Sequence, residues 1–333
     1  MRSSKGHKRT SQRSVPFFIS RSREMELPDY YVYMFQEDLN LGILPLRGWR
    51  AESGFKVIIT PMAREVAELI AAALPSEYGP RYDIEGAVSH FIEEAAQLLV
   101  WYGRAFYEIV FEYEEGEKPV GFRITHIQDN CIHDAAAFCW QFLPAARSGS
   151  FDFSDATEKA APNLFHRFVW ISKSRMLTIK MPSELGGRRL MLRTIRTLAQ
   201  ASRSALPELA IAEANESSPK SGYDFTIHRR LTEMIVARAT RSFGWPMRGT
   251  ADETSLEFYR LYRNLLFENA KVIIRDHILD ALNNALARVG KVMGFKAEIS
   301  LLGVRTRKEC EDALRDIQSG KLQIGDAWKM LMD

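Results

Sequence analysis

The sequence predicts an α+β protein, mainly helical with a small mixed β-region, and three observations predict it. Apolar residues recur at helical spacing over long stretches, above all from Leu256 to Ala285. The period drops to two between Arg104 and Tyr113, and a second alternating run follows a turn. A helical run also stops at Gly244-Trp245-Pro246, crosses a polar stretch and restarts as a much longer helix. With 333 residues, 46% of them hydrophobic, the chain is long enough to bury one large core or two smaller ones.

The elements follow in order. Residues 24–50 are aromatic and irregular, suited to packing onto the body. A short strand is expected at Phe55–Ile59. Pro61 then opens a helix in which Val66, Leu69, Ile70 and Leu74 share a face. A second helix places Val88, Phe91, Ile92, Ala95, Leu98 and Leu99 on one side and ends at Gly103, a C′ glycine. In the strand after it, Ala105, Tyr107, Ile109, Phe111 and Tyr113 alternate with Phe106, Glu108, Val110 and Glu112. Glu-Gly-Glu-Lys-Pro makes the turn, and Val120, Phe122 and Ile124 return the chain as a hairpin. Residues 145–163 form a Ser/Ala/Asp-rich loop, and strands are expected at Phe165–Ser172 and Arg175–Met181.

The helix beyond them, 188–206, contains no acid between 188 and 203. Arg189, Arg193, Arg196 and Arg203 line one face, beside an apolar stripe of Leu192, Ile195, Ala199 and Leu206. A small turn-rich segment, 207–227, holds a possible strand at Tyr223–Ile227 and precedes a helix over 228–243. After the break, Thr254-x-x-Glu257 has the form of a capping box, and the helix it opens runs to Val289, with Gly290 ending it. About 35 residues in one helix reach about 50 Å. A strand over Phe295–Leu302 and two short helices, Arg307–Ile317 and Ile324–Met332, close the chain.

Composition and charge exclude several classes. Residues 1–23 carry seven Lys or Arg, Lys5, Lys8 and Arg9 among them, and no acid; the rest holds 38 basic against 42 acidic residues. The arm lacks the apolar core of a secretory signal, and its content suits a disordered tail able to neutralise phosphates or to contact a neighbouring subunit. No apolar run approaches the roughly 20 residues of a membrane span. Three cysteines without CxxC spacing argue against a disulfide framework or a zinc site, and for a reducing compartment.

The chemistry-bearing residues do not assemble into a catalytic set. No GxxxxGK[ST] loop, strand-linked GxGxxG, GxSxG elbow or HExxH motif occurs. Glu112, Glu114, Glu115 and Glu117 cluster at the hairpin turn, where a solvated tip is the simpler reading than a metal site. His166, His228 and His277 read as surface or helix-end histidines. Cys131, His133 and Asp134 stand close in sequence, but nearness is not triad geometry. No enzyme, metal or cofactor is expected. The arginine row faces either nucleic acid or acids on a neighbouring chain.

Four stretches resemble the portal proteins of tailed bacteriophages. "LLVWYGRAFYEIVFEYEEGEKPVGFRITHIQ" is similar to the wing segment in which a helix ends at Tyr-Gly and feeds a hairpin. "FVWISKSRMLTIKMPSELGGRRLMLRTIRTLA" resembles the strand pair, Gly turn and helix that follow. The run from Ile235 to Leu286 resembles the family's helix, Phe-Gly-x-Pro break, polar loop and long helix, and "GKLQIGDAWKMLMD" its closing segment.

The resemblance implies a portal-like fold. Residues 1–50 would be the arm and irregular N-terminal segment, 51–187 the first part of the wing, and 188–206 and 228–243 two stem helices. Residues 207–227 would be a clip shorter than the family's usual insertion, and 256–303 a long wing helix with its strand. Residues 304–333 would form a helical crown-like segment. Gly244, Trp245, Pro246, Met247, Arg248, Gly249 and Thr250, within 244–255, would project into a channel; read without the resemblance, the same stretch is a Pro-interrupted helical pair of a monomeric domain, with Phe243 and Trp245 as core anchors. The long helix would press its apolar faces against neighbouring subunits.

The implied assembly is a ring, dodecameric in that family, at one capsid vertex of a virion put together in the host cytoplasm. Double-stranded DNA would pass through it during packaging and ejection. Its partners would be the terminase large subunit, a head-completion or neck adaptor protein and the major capsid protein. A conduit must not grip DNA at any one place, and a slightly acidic body suits that. The alternative is a DNA-binding structural head or neck protein acting through Arg189, Arg193, Arg196, Arg203 and the basic arm.

Overall fold

One helix, α6 (Glu257–Met293), organises the rest of the molecule. Six consecutive residues, Ala270 to Arg275, are buried, so the helix is covered on every side rather than along one stripe. A computed structural model describes residues 30–45, 54–74, 83–113, 118–127, 132–134, 138–142, 168–217, 225–247 and 256–332. Within them the protein is α+β, with small antiparallel sheets against a helical majority.

The C-terminal half of α6 meets α3 (Ile84–Tyr102) in the main core. There Ile274, Ile278, Leu282, Leu286 and Val289 share the interior with Val88, Phe91, Ile92, Ala95 and Leu99. Asp83 caps α3 by accepting the Gly86 amide, and Gly103 ends it with φ +68°, as its position in the sequence predicts. β2 (Arg104–Glu112) follows at once. It is the central strand of a three-stranded sheet with β3 (Gly121–Ile127) and β7 (Met176–Lys180). Helices cover one face of β2, and the opposite face builds a second cluster of Phe106, Ile127, Cys139, Ile171 and Met176. Both faces are therefore buried along Ala105–Ile109, with Glu108 the one charged residue among them.

A second small sheet pairs β5 (Phe138–Phe142) with β4 (Ile132–Asp134) and β6 (Phe168–Ser172). The strand pair expected from 165–172 and 175–181 is thus divided: β6 pairs with β5, and β7 with β2. The reason is the intervening turn, a single 3-10 turn at Lys173–Arg175, which hands the chain from one sheet to the other. β1 (Lys56–Thr60) and β8 (Glu298–Leu302) pair with each other across the length of the chain.

Several boundaries differ from the sequence expectation. Tyr30–Asn40, expected to be irregular, forms α1, which buries Val32, Phe35 and Leu39 at helical spacing. α2 spans Arg64–Ala73 and starts three residues after Pro61, because Ala63 is still extended. α4 (Gly187–Ser217) does not stop at residue 206. It continues through Pro207, so residues 207–217 are helical rather than turn-rich. A proline costs a helix one hydrogen bond and about 3 kcal/mol, and the run Glu208–Ala214 that follows is rich in strong helix formers.

α5 (Phe225–Ala239) begins where a strand was expected at 223–227. α6 starts at Glu257 with the Leu256 carbonyl closing its first turn, so Glu257 is not at the third position of a capping box. Gly290 does not end α6. The helix runs on to Met293 and Gly294 ends it with φ +85°. Gly290 is instead the point where the returning Phe295 carbonyl packs against the helix, leaving no room for a side chain.

The apolar faces of α6 are mostly satisfied within the subunit, against the expectation that they serve its neighbours. Leu261 and Leu265 pack with Ala313 and Ile317 of α7 (Arg307–Gln318) and Ala327 of α8 (Ile324–Met332). Leu256, Phe258, Tyr259 and Val292, at the ends of the helix, remain exposed.

Candidate functional site

The break between α5 and α6 is built from the backbone outward. Past Ala239 the last turn tightens, with the amides of Phe243 and Gly244 donating to the Thr240 carbonyl at 3.1 and 3.0 Å. Gly244 has φ +72°, a conformation that disfavours any side chain. A Cβ there would collide with Leu266 and lie 2.7 Å from the Arg263 carbonyl oxygen. Glycine is therefore required twice, for its dihedral and for the close approach to α6.

This geometry turns Phe243 and Trp245 inward. Trp245 is 1% exposed and Phe243 fully buried, and both meet Phe35 of α1 edge-on, at 5.4 and 5.5 Å between ring centres. The indole nitrogen donates to Asp38 Oδ2 at 2.7 Å. From α6, the buried Arg263 donates through Nη1 to the Ala237 carbonyl at 3.2 Å and through Nη2 to Thr240 Oγ1 at 3.1 Å. Its Nε, at 3.1 Å, and its Nη2 both donate to the Trp245 carbonyl. One guanidinium thus meets acceptors at the carbonyl end of α5, where the helix dipole is negative and backbone acceptors lack intrahelical partners.

The expectation that Gly244 and Trp245 belong to a projecting loop is corrected: both are sealed inside the subunit. Pro246 and Met247 are half-buried. Met247 has φ 55°, where a side chain is uncommon. Arg248, Gly249 and Thr250 lie outside the described residues, as does the rest of 248–255. No sequence pattern signals Arg263 or Asp38 as partners of the break. The Phe-Gly-Trp-Pro string marks the place but not what lies beside it.

The helical pair α4–α5 leads into this anchor. Thr194 Oγ1 donates to the Ala239 carbonyl at 3.0 Å, and the Tyr31 amide donates to Ser202 Oγ at 2.9 Å, so α4 is tied both to the end of α5 and to α1. Ile195 and Ala199 of the expected apolar stripe are buried and Leu192 is half-buried, joined by Met191 and Leu198. Arg189, Arg193 and Arg196 are all exposed. Arg203 lies within α4, but its side chain is outside the described residues, as are Lys5, Lys8 and Arg9 and the side chain of Leu206. On α5, Leu231, Met234 and Ile235 stand 53, 60 and 49% exposed at i, i+3 and i+4, an apolar stripe that the subunit itself leaves uncovered.

The remaining candidates do not converge. Cys131 and His166 lie outside the described residues. His133 and Asp134 are in β4, opposite Trp140 and Cys139. The side chain of His228, in α5, is also outside them. His277 lines an open cleft of about 900 Å³ between α6 and β7. Among the described residues no group of three or more His, Cys, Asp or Glu is arranged to hold a metal ion, and no helix is long and apolar enough to cross a membrane. Comparison with protein-family models gives no match, and comparison with curated proteins gives none.

Proposed function

We propose that this protein is a portal-type subunit: a structural component of a ring that conducts double-stranded DNA through one vertex of a phage-like capsid, with no chemistry of its own. The observation that carries the reading is the path from α4–α5 through the locked break into α6. An antiparallel helical pair with an uncovered apolar stripe is fastened by Arg263 and Trp245 to a helix that crosses the whole body. Such a pair fits a stem packed against copies of itself. A rotational ring needs heterologous contacts between unlike faces, and Leu231, Met234 and Ile235 with Leu256, Phe258 and Tyr259 offer apolar surface for them.

In this reading the channel-facing loop is confined to residues 248–255, with Met247 as its hinge and Trp245 as its anchor. The stem helix α4 extends to Ser217, and the clip-like segment between α4 and α5 would meet the terminase large subunit and later the neck adaptor. The major capsid protein would surround the wing, and the ring, taken as dodecameric from the sequence resemblance, would reside in the virion. Light scattering tests this directly: a mass many times the 38.1 kDa of one chain supports it, and a stable single copy removes it.

A second reading is favoured by one observation, the exposure of Arg189, Arg193 and Arg196 on α4. These make a DNA-binding face on a structural head or neck protein. That reading requires tight, salt-sensitive duplex binding that disappears when the three become alanine. Weak binding indifferent to the triple substitution leaves the conduit.

A further inference from the structure

The cleft between α6 and β7 has a charge that the proposed function does not use. Its wall on α6 is one helical face, His277, Asp280, Ala281, Asn284, Ala287, Arg288 and Lys291, which runs about 21 Å along the axis. β7 and the turn before it bring Lys173 and Lys180, and Met176, Leu177, Ala281 and Ala287 add apolar lining. Four basic side chains therefore face one acid, Asp280. Arg288 also fixes one end by donating to the carbonyls of Lys173 and Ser174, at 3.4 and 3.1 Å, and burial pushes its pKa below the usual guanidinium value. The imidazole of His277 is the one aromatic ring among the lining residues, and a duplex is too wide to enter. Apolar lining among cationic side chains fits an acidic peptide.

The chain carries such a peptide at the turn between β2 and β3, where Glu112, Glu114, Glu115 and Glu117 are interleaved with Phe111 and Tyr113. β7 pairs with β2 only from Arg104 to Glu108, and β2 continues four residues further, about 13 Å, to Glu112. There Arg123 of the neighbouring strand holds Glu112 in an ion pair.

We propose that the acidic turn of one copy docks in the basic cleft of a second copy. A donor segment of one copy seated in an acceptor cleft of the next makes a head-to-tail contact, the kind that closes a ring. The inference rests on the ring reading and specifies one contact within it.

Charge exchange in the full-length protein tests the docking. Lys180→Glu with Lys291→Glu, both exposed positions, is expected to lower the assembled fraction by at least about tenfold at equal concentration, and so is Glu114→Lys with Glu115→Lys and Glu117→Lys. Mixing the two variant proteins restores every contact in an alternating ring, because each variant's turn then meets a cleft of opposite charge, and combining all five substitutions in one chain restores every contact between like copies and returns assembly toward the wild-type level. Lys308→Glu with Lys321→Glu, exposed sites away from the cleft, is expected to change nothing.

Rings at the wild-type level in both reversed sets would overturn the docking and leave the ring standing, as would a five-fold variant no better than either set. If the wild type is a single copy, the ring reading itself falls. The probe is then a labelled peptide of residues 111–118 added to the full chain. Saturable binding weakened about tenfold by the two lysine reversals keeps the cleft's ligand, and binding indifferent to them removes it.

Discussion

The indole of Trp245 donates to Asp38 across 207 residues of sequence, and this bond fixes the break between α5 and α6 to the first described helix. Around it, Phe35, Phe243 and Phe267 form an aromatic cluster, and the main chain of Trp245 receives Arg263. The break is a fastened joint at Phe243–Trp245.

Trp245→Ala empties a large buried site. It is expected to cost about 3–5 kcal/mol, and Trp245→Phe, which keeps most of the volume and loses the bond to Asp38, about 1–3 kcal/mol. Urea unfolding curves measure both. Equal midpoints for wild type and Trp245→Ala would place the indole outside the core.

Gly244→Ala combines a left-handed backbone with a collision against α6. A loss of about 2–4 kcal/mol is expected. Gly294→Ala is the control, since its φ is also positive but nothing lies within 4 Å of the added methyl; about 1 kcal/mol is expected there. Thermal melting of the two variants should separate them by several degrees. Identical shifts would show that the approach to Leu266 and Arg263 does not matter.

Arg263→Met leaves the carbonyls of Ala237 and Trp245 without their donor in a buried place. The expected loss is about 3–5 kcal/mol, and Arg263→Lys recovers only part of it, because an ammonium does not span the same fork of acceptors. Denaturant midpoints for the pair decide this; full recovery by lysine would reduce the site to a point charge.

Two buried acids set a slope at high pH. Burial pushes the Cys310 thiol from 9.0 up to about 11. Burial, reinforced by the Glu94 carboxylate, holds the Tyr107 phenol well above its usual 10.0. The folded state keeps these protons to higher pH than the unfolded chain does. Their contribution is complete below about pH 9 and is lost as pH rises toward 11 and beyond. Stability measured in urea should fall over that window, and less steeply in Cys310→Ala. A slope unchanged in that variant would contradict a protonated, buried thiol.

How far the sequence discloses this fold depends on the range of the interactions that decide each part. The αL glycine at Gly103 and the period-two run of β2 are local, and both are legible. α1 is not, because Tyr30, Tyr31, Val32 and Tyr33 have weak helix preference and the helix is held by Phe35 and Leu39 in the core. Gly290 looks like a stop until Phe295 is seen returning over it, and Pro207 looks like one until the helix formers beyond it are counted. At the candidate site, Phe243–Pro246 is visible as a break. Phe243 and Trp245 read as core anchors only as an alternative, and their partners Asp38 and Arg263 are not legible because they lie far away in sequence.

The arginine face of α4 separates the two readings of DNA contact. Substituting Arg189, Arg193 and Arg196 by alanine is expected to leave the weak, non-specific duplex affinity of a conduit within about threefold. Electrophoretic or anisotropy titration at physiological salt measures it. A loss of tenfold or more would transfer the function to a DNA-binding face.

The most direct test is negative-stain imaging of the purified full-length protein. The conduit reading predicts rings of identical copies around an axial hole wide enough for a duplex, about 20 Å or more. Solitary compact particles, under conditions where the chain is folded, would contradict it.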